Sequence, residues 1–229
     1  MNAPSSTRRT ALLGAVMSGV ALVAAACGGS GTGPVRGSLS ADESRALATT
    51  MDSENNTVVG DQTGRLDTSP GLARLSDGSG HMPGLRATVL SSETTFHTQR
   101  DCRLGGNLTV DGHISHTFDT DTHTLTADFQ ATATHDACVR KIRTTNLTLT
   151  GNPNLQLVAH RERVNGAPSG LQTWSLQGSV DWVKSDGTSG TCDIDIQGQL
   201  DPAARARTID GSVCGHTVHE SLTWDGANA

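Results

Sequence analysis

The sequence predicts an all-β protein. We expect an antiparallel meander of about eight to ten strands forming a curled sheet, an open barrel or a sandwich, with one short N-terminal helix. From residue 85 onward, apolar and polar residues alternate with the period of two that a half-buried strand requires. The composition agrees, because 26 glycines and only 17% charged residues are typical of sheets joined by many turns.

Residues 1–26 have the parts of an export signal, with the charged pair Arg8-Arg9 before an apolar stretch that ends in small residues. The stretch Val23-Ala24-Ala25-Ala26-Cys27 resembles the lipobox of bacterial lipoproteins. This resemblance implies that Cys27 is lipidated and becomes the N-terminus of a chain anchored to a bacterial membrane. The arginine pair resembles a twin-arginine signal, and an ordinary secretion signal is the alternative. We therefore expect the protein in the cell envelope, on the extracytoplasmic side of the membrane.

Three further segments follow the signal. Residues 27–38 are rich in glycine and serine and are predicted to be a flexible tether. Residues 39–84 are predicted to hold a short helix followed by loops, and residues 85–226 to form the antiparallel β domain.

The helix is predicted from a capping box at its start. Ser40 and Glu43 are spaced so that each side chain can bond the other residue's amide, and apolar residues four apart then share one face. The helix is expected over 41–51. Residues 52–84 are rich in Asp, Gly, Ser and Asn and are expected to be loops, with one weak strand at 57–59.

The strands of the β domain are predicted from series of apolar or small residues that share one face. The clearest of these series are Leu108–Phe118, Leu125–Ala133, Leu147 and Leu149, Leu155–Ala159, Trp174–Trp182, Cys192–Leu200 and Ile209–Val213, with Val218, Leu222 and Trp224 in the last strand. Turns are predicted where Asn, Asp, Gly and Pro collect, at 119–121, 152–154, Asn165-Gly166, Asp186-Gly187 and 202–204, and a tight turn or bulge at Cys214-Gly215.

An apolar-x-Gly-x-apolar pattern recurs at 110–114, 176–180, 196–200 and 209–213. Glycine on the buried face at mid-strand fits a sheet that bends sharply or that lets a neighbouring backbone approach closely. The alternative is that glycine-rich strands recur through composition alone.

Four cysteines remain once Cys27 is set aside. An even number of cysteines in an exported chain favours disulfides over a metal site. Their spacing favours the pairs Cys102–Cys138 and Cys192–Cys214, each joining strands that are close in sequence. The alternative is a zinc site, which the absence of a Cys-x-x-Cys motif argues against.

Charge and composition argue against several binding functions. Without the two arginines of the signal, the chain carries 15 basic and 23 acidic residues, and these basic residues form no cluster. Binding to nucleic acid or to anionic lipid is therefore not expected. Three Trp, three Phe and no Tyr leave few aromatic platforms for sugars and no girdle for a membrane barrel.

Histidines offer the first candidates for chemistry. His113 and His116, like His216 and His219, are three residues apart, a spacing that sends two rings to opposite faces of a strand. His116 shares the parity of the apolar residues and is interpreted as a satisfied core histidine. No metal site and no cofactor are predicted.

Two pairs of carboxylates are the remaining candidates. Asp119 and Asp121 have a spacing seen in calcium loops but lack the glycine and the distal glutamate, so a solvated turn is expected. Asp193 and Asp195 project from one face, and a pair of carboxylates can carry out acid–base chemistry. On an amphipathic strand, however, they are interpreted as part of its solvent-exposed face. No catalytic residue is predicted.

Together these features predict a non-enzymatic envelope lipoprotein, a β scaffold or interaction module that contacts the membrane through its anchor and binds an envelope protein. Two alternatives stay open. One is a carrier that holds an apolar small ligand in a lipocalin-like concave sheet, and the other is a hydrolase with an unrecognised site.

Overall fold

The computed structural model describes residues 35–67, 89–151 and 154–223. The predicted signal, Cys27, most of the tether, part of the predicted loop-rich segment and Trp224 lie outside these residues. The elements are β1 (Val35–Arg36), α1 (Ala41–Asp67), β2 (Val89–Asp101), β3 (Asn107–Asp119), β4 (Thr124–Asp136), β5 (Cys138–Ile142), β6 (Thr145–Gly151), β7 (Leu155–Val164), β8 (Ala167–Lys184), β9 (Thr188–Asp201), β10 (Ala206–Val213) and β11 (His216–Thr223).

All described strands belong to one sheet, whose order runs β11-β10-β9-β8-β7-β4-β3-β2. The hairpin β5–β6 extends the β4–β7 ladder, and β6 pairs with β8 beyond β7. Spatial order therefore follows chain order, which confirms the predicted antiparallel meander. The exception is the two-residue β1, which pairs in parallel with β9 and so docks residues from the end of the predicted tether onto the sheet.

The predicted turn at 152–154 lies mostly outside the described residues. A reversal that the sequence did not predict lies at Arg143 and Thr144, between the paired residues Ile142 and Thr145. The predicted turns at 119–121, Asn165-Gly166, Asp186-Gly187, 202–204 and Cys214-Gly215 do fall between consecutive strands.

The helix begins as predicted but is much longer. The amide of Ser40 donates to Glu43 Oε2 at 2.8 Å and the amide of Glu43 donates to Ser40 Oγ at 3.3 Å, so the capping box is present. The helix then continues to Asp67, which makes the predicted end at 51 and the weak strand at 57–59 wrong. Val58 and Val59 are buried at 2% and 1% exposure, and this packing against the sheet sustains a sequence of low helix propensity.

The core lies between α1 and one face of the sheet. The apolar series predicted from the alternation supply most of it, including Ile114, Phe129 and Trp182. Side chains of α1 reach both ends of the sheet, because Gln62 bonds Thr98 on β2 and Arg45 pairs with Glu220 on β11. The sheet therefore curls around the helix, with α1 on its concave face. No helix within the described ranges is long and apolar enough to cross a membrane.

The recurring glycines lie where a neighbour approaches closely. A Cβ on Gly112 would lie 2.5 Å from the carbonyl oxygen of Gln130, and one on Gly178 would lie 2.8 Å from that of Asn154. At Gly198 it would overlap the indole of Trp174, and at Gly211 the backbone of Asp195. The expected close approach of a neighbouring backbone is thus confirmed at Gly112, Gly178 and Gly211, whereas the close neighbour of Gly198 is a side chain.

Candidate functional site

The four cysteines form the two disulfides expected from their spacing. Cys102 bonds Cys138, which joins the loop after β2 to the start of β5, and Cys192 in β9 bonds Cys214 in the β10–β11 turn. Both bonds fasten strands near the ends of the curled sheet. They brace the scaffold and leave no thiol for chemistry among the described residues.

The histidines of the two H-x-x-H motifs point to opposite faces, as expected. His216 contacts the carbonyl of Leu39 through Nε2 at 2.9 Å, while His219 Nδ1 lies 2.5 Å from a carboxylate oxygen of Asp210 on the solvent side. Within the described ranges, no group of three His, Cys, Asp or Glu residues is arranged to hold a metal ion.

His116 differs from its prediction in one respect. It is half-buried, and this burial lowers its pKa, but its Nδ1 has no hydrogen-bond partner among the described residues. The interpretation as a satisfied core histidine is therefore wrong. The alternation of the strand predicts which face His116 lies on, but a hydrogen-bond partner for its ring depends on the neighbouring strands, which the alternation does not reveal.

The carboxylate candidates are structural. Asp119 Oδ1 accepts the amides of Asp121 at 2.8 Å and Thr122 at 3.2 Å, and these hydrogen bonds lower its pKa. Asp193 and Asp195 are exposed on one face of β9, and Asp195 accepts a bond from Gln177 at 3.0 Å. Neither pair encloses a reacting centre.

The register creates a feature that the sequence did not predict, a set of three exposed His–Asp pairs across neighbouring strands. The ring nitrogen lies 2.5–2.7 Å from the carboxylate in His97–Asp111, His160–Asp128 and His219–Asp210. Because each pair joins residues on different strands, only the strand register could have revealed them. They are separate surface contacts on the convex face.

The strand β2 lies at one edge of the sheet. It pairs with β3 in unbroken register over all 13 residues, and no described strand pairs with its other edge. Residues 89–95 are exposed on both faces, and Val89 and Leu90 are 63% and 37% exposed. The strand contains neither lysine nor proline, two of the residues that natural edge strands use to discourage further pairing, and its charged residues are Glu93, Arg100 and Asp101.

The concave face carries ion pairs between the sheet and α1. Three mostly buried acidic residues of the helix each meet a base from a different strand. The pairs are Glu43–Lys184 at 2.8 Å, Glu54–Arg140 at 2.5 Å and Asp52–Arg207. This arrangement fixes the position of α1 along the concave face.

A cleft of about 310 Å³ opens between α1 and strands β7 to β9. Arg161 of β7 lies in its wall and is only 6% exposed. Its guanidinium donates to Gln172 Oε1 at 2.9 Å and to Asn56 Oδ1 at 2.5 Å. Sequence reasoning missed this residue, although Arg161 has the parity of the buried residues Leu155–Ala159.

These contacts bear on the alternative of an apolar carrier. The concave face that would hold an apolar ligand is occupied by α1 and its ion pairs, and the cleft beside α1 combines arginine and amide side chains with the apolar side chains of Pro168 and Leu200. Comparison with protein-family models, with curated proteins and with solved structures gave no match.

Proposed function

We propose that this chain is a lipid-anchored envelope lipoprotein whose β domain acts as a non-enzymatic module for binding an envelope protein. Three features support the proposal. The lipobox-like stretch supplies the anchor at Cys27, the two disulfides suit an oxidising compartment, and the sheet offers a rigid edge.

The edge of β2 is the observation on which the binding role depends. The 13 residues of β2 are in regular register with β3, and no described strand pairs with their other side. Such an edge accepts an extended segment of a partner as an added strand. The C-terminal half of β2 is held by α1, since Gln62 bonds Thr98 and Asp61 pairs with Arg100. The edge is therefore prearranged, which lowers the ordering cost of binding. The occupant we propose is an extended strand of an envelope protein.

A photo-crosslinking residue at position 95 tests this role in intact cells. We expect one dominant adduct to a single envelope protein at position 95, and none at position 199, an exposed site on the interior strand β9. Purified wild-type protein added in excess should compete for the partner and reduce this adduct. Purified Thr95→Lys, which carries a charge on the edge, should not compete, whereas purified Thr191→Lys, changed on β9, should compete like the wild type. No adduct at 95, equal adducts at both positions, or an adduct only between two copies of this chain would each refute the proposed partner.

The anchor has its own test. The wild-type chain should partition into detergent and show by mass spectrometry an acylated N-terminal Cys27, while Cys27→Ala should stay in the aqueous phase or retain its signal. Ser30→Ala, a change of similar size in the tether, should behave as wild type. A wild-type chain with an intact leader and free thiols in the cell interior would contradict both the anchor and the compartment.

A further inference from the structure

One base on the concave face breaks the pattern of ion pairing with α1. Lys184, Arg140 and Arg207 each meet a carboxylate of the helix. Arg161 is more deeply buried than these three, yet α1 presents to it the amide of Asn56. The nearby carboxylate of Asp52 is bonded by the Asn56 amide at 2.7 Å and is already paired with Arg207.

The charge of Arg161 is therefore left without a carboxylate in the part of the chain that the structure describes. Both of its hydrogen-bond partners are neutral amide oxygens, from Gln172 and Asn56. Burial lowers the pKa of Arg161 to about 10, which reflects the unfavourable desolvation of the charged group. Buried cations in proteins are normally paired with an anion.

The space beside this guanidinium is open. The cleft of about 310 Å³ is lined by Arg161 and also by Arg163, and its described lining residues include no carboxylate. Pro168 and Leu200 supply apolar surface, and a Cβ built on Gly60 meets nothing within 4 Å. The cleft thus combines a positive anchor, a small apolar wall and room for a compact group.

We propose that this cleft binds a small organic oxyanion, with Arg161 as its principal anchor. The guanidinium is a planar fork that matches the two oxygens of a carboxylate or a phosphate, and Pro168 and Leu200 contact the apolar remainder of the ligand. This site goes beyond the protein-binding role of β2 and does not depend on the anchor.

Titration of the purified full-length protein in detergent, with both disulfides oxidised, tests the site. Sodium benzoate and inorganic phosphate are titrated separately at constant ionic strength, by calorimetry and by thermal unfolding. We expect saturable binding of at least one of them with a Kd of about 1 mM or tighter. Binding of benzoate alone identifies a carboxylate ligand, and binding of phosphate alone identifies a phosphate ligand. Binding of neither overturns the proposal.

Two variants locate the binding. Arg161→Met should raise the Kd by about tenfold or more, whereas Arg103→Met, the same change in charge at an exposed turn, should leave it unchanged. Gln172→Glu places a carboxylate against the guanidinium, so the melting temperature should rise and the anion should no longer bind. Gln199→Glu on an exposed face of β9 is its control.

The second variant keeps the test decisive if Arg161→Met does not fold. Anion binding that survives in Gln172→Glu with its affinity intact would refute the site. So would equal weakening by Arg161→Met and Arg103→Met, because diffuse attraction to surface charge would then explain the binding. A large loss of stability in Arg161→Met together with no anion binding by the wild type would identify Arg161 as a structural residue and would also refute the site.

Discussion

The glycine at the centre of β3 gives the sharpest prediction about the sheet. A Cβ on Gly112 would lie 2.5 Å from the carbonyl oxygen of Gln130 and 2.6 Å from the Cβ of Ala131. These atoms belong to β4, whose backbone is held by pairing on both sides. To restore an ordinary contact of 3.4 Å, the two strands must separate locally by nearly an ångström. Overpacking of this kind costs about 1–3 kcal/mol, so Gly112→Ala should lower the free energy of unfolding by that amount.

The same substitution at Gly60 is the matched control. Its Cβ would meet nothing within 4 Å, and the residue lies inside α1. Replacing an exposed helical glycine by alanine stabilises by about 0.5–1 kcal/mol, so Gly60→Ala should be more stable than the wild type. Urea unfolding followed by tryptophan fluorescence, without reductant, measures both variants. A Gly112→Ala protein as stable as the wild type would show that β3 and β4 can separate freely, and would refute the close-packing argument.

Two further predictions concern the bonds that brace the domain. Replacing Cys192 and Cys214 together by alanine should cost about 3 kcal/mol, the value for a loop of this length in the chain-entropy model, and reductant should then act only through the other disulfide. A loss below about 1 kcal/mol in urea unfolding would contradict this value. Burial raises the pKa of Glu43, but hydrogen bonds from Lys184 and Ser40 together lower it by more than burial raises it. The pKa therefore lies below its usual 4.5. The carboxylate therefore stabilises the fold above that value, and this contribution is lost as the pH falls through the lowered pKa. Glu43→Gln should be less stable by about 1–3 kcal/mol at pH 7, and the difference from the wild type should shrink in acid. A difference that is independent of pH would refute the role of the ion pair.

Local patterns were sufficient to predict the meander, most turns and the disulfides. Alternation with a period of two is a property of each strand by itself, so series such as Trp174–Trp182 identify the buried face without knowledge of the neighbours. The repeated glycines could be interpreted for the same reason.

The extent of α1 could not be predicted in this way. Between 52 and 67 the helix buries polar residues such as Asp52, Asn55 and Gln62, which give no apolar period. Their helical conformation is stabilised by contacts with distant strands, for example the bond from Gln62 to Thr98 on β2. A rule based on local composition interprets such a segment as loop, because the stabilising partners lie elsewhere in the chain.

The candidate sites depend on register in the same way. The parity of Arg161 places it on the inner face, but its partner Asn56 is 105 residues away in sequence. Whether that partner is an acid or an amide is decided by how α1 sits along the concave face. The three His–Asp pairs likewise require the pairing of strands that are up to 32 residues apart.

The cost of burying Arg161 gives a physical reason to connect its cleft with ligand binding. Because burial lowers the pKa of Arg161 to about 10, the folded state disfavours the charged guanidinium by about 3 kcal/mol at neutral pH, relative to the unfolded chain. The three other bases on the concave face offset such a cost with a carboxylate from α1, and a carboxylate at Gln172 could do the same for Arg161. An oxyanion that enters the cleft supplies the missing charge, so the free energy lost by the empty protein is recovered on binding and adds to affinity. The same reasoning predicts that Gln172→Glu gains stability as it loses binding, an inverse relation that a purely structural arginine would not show.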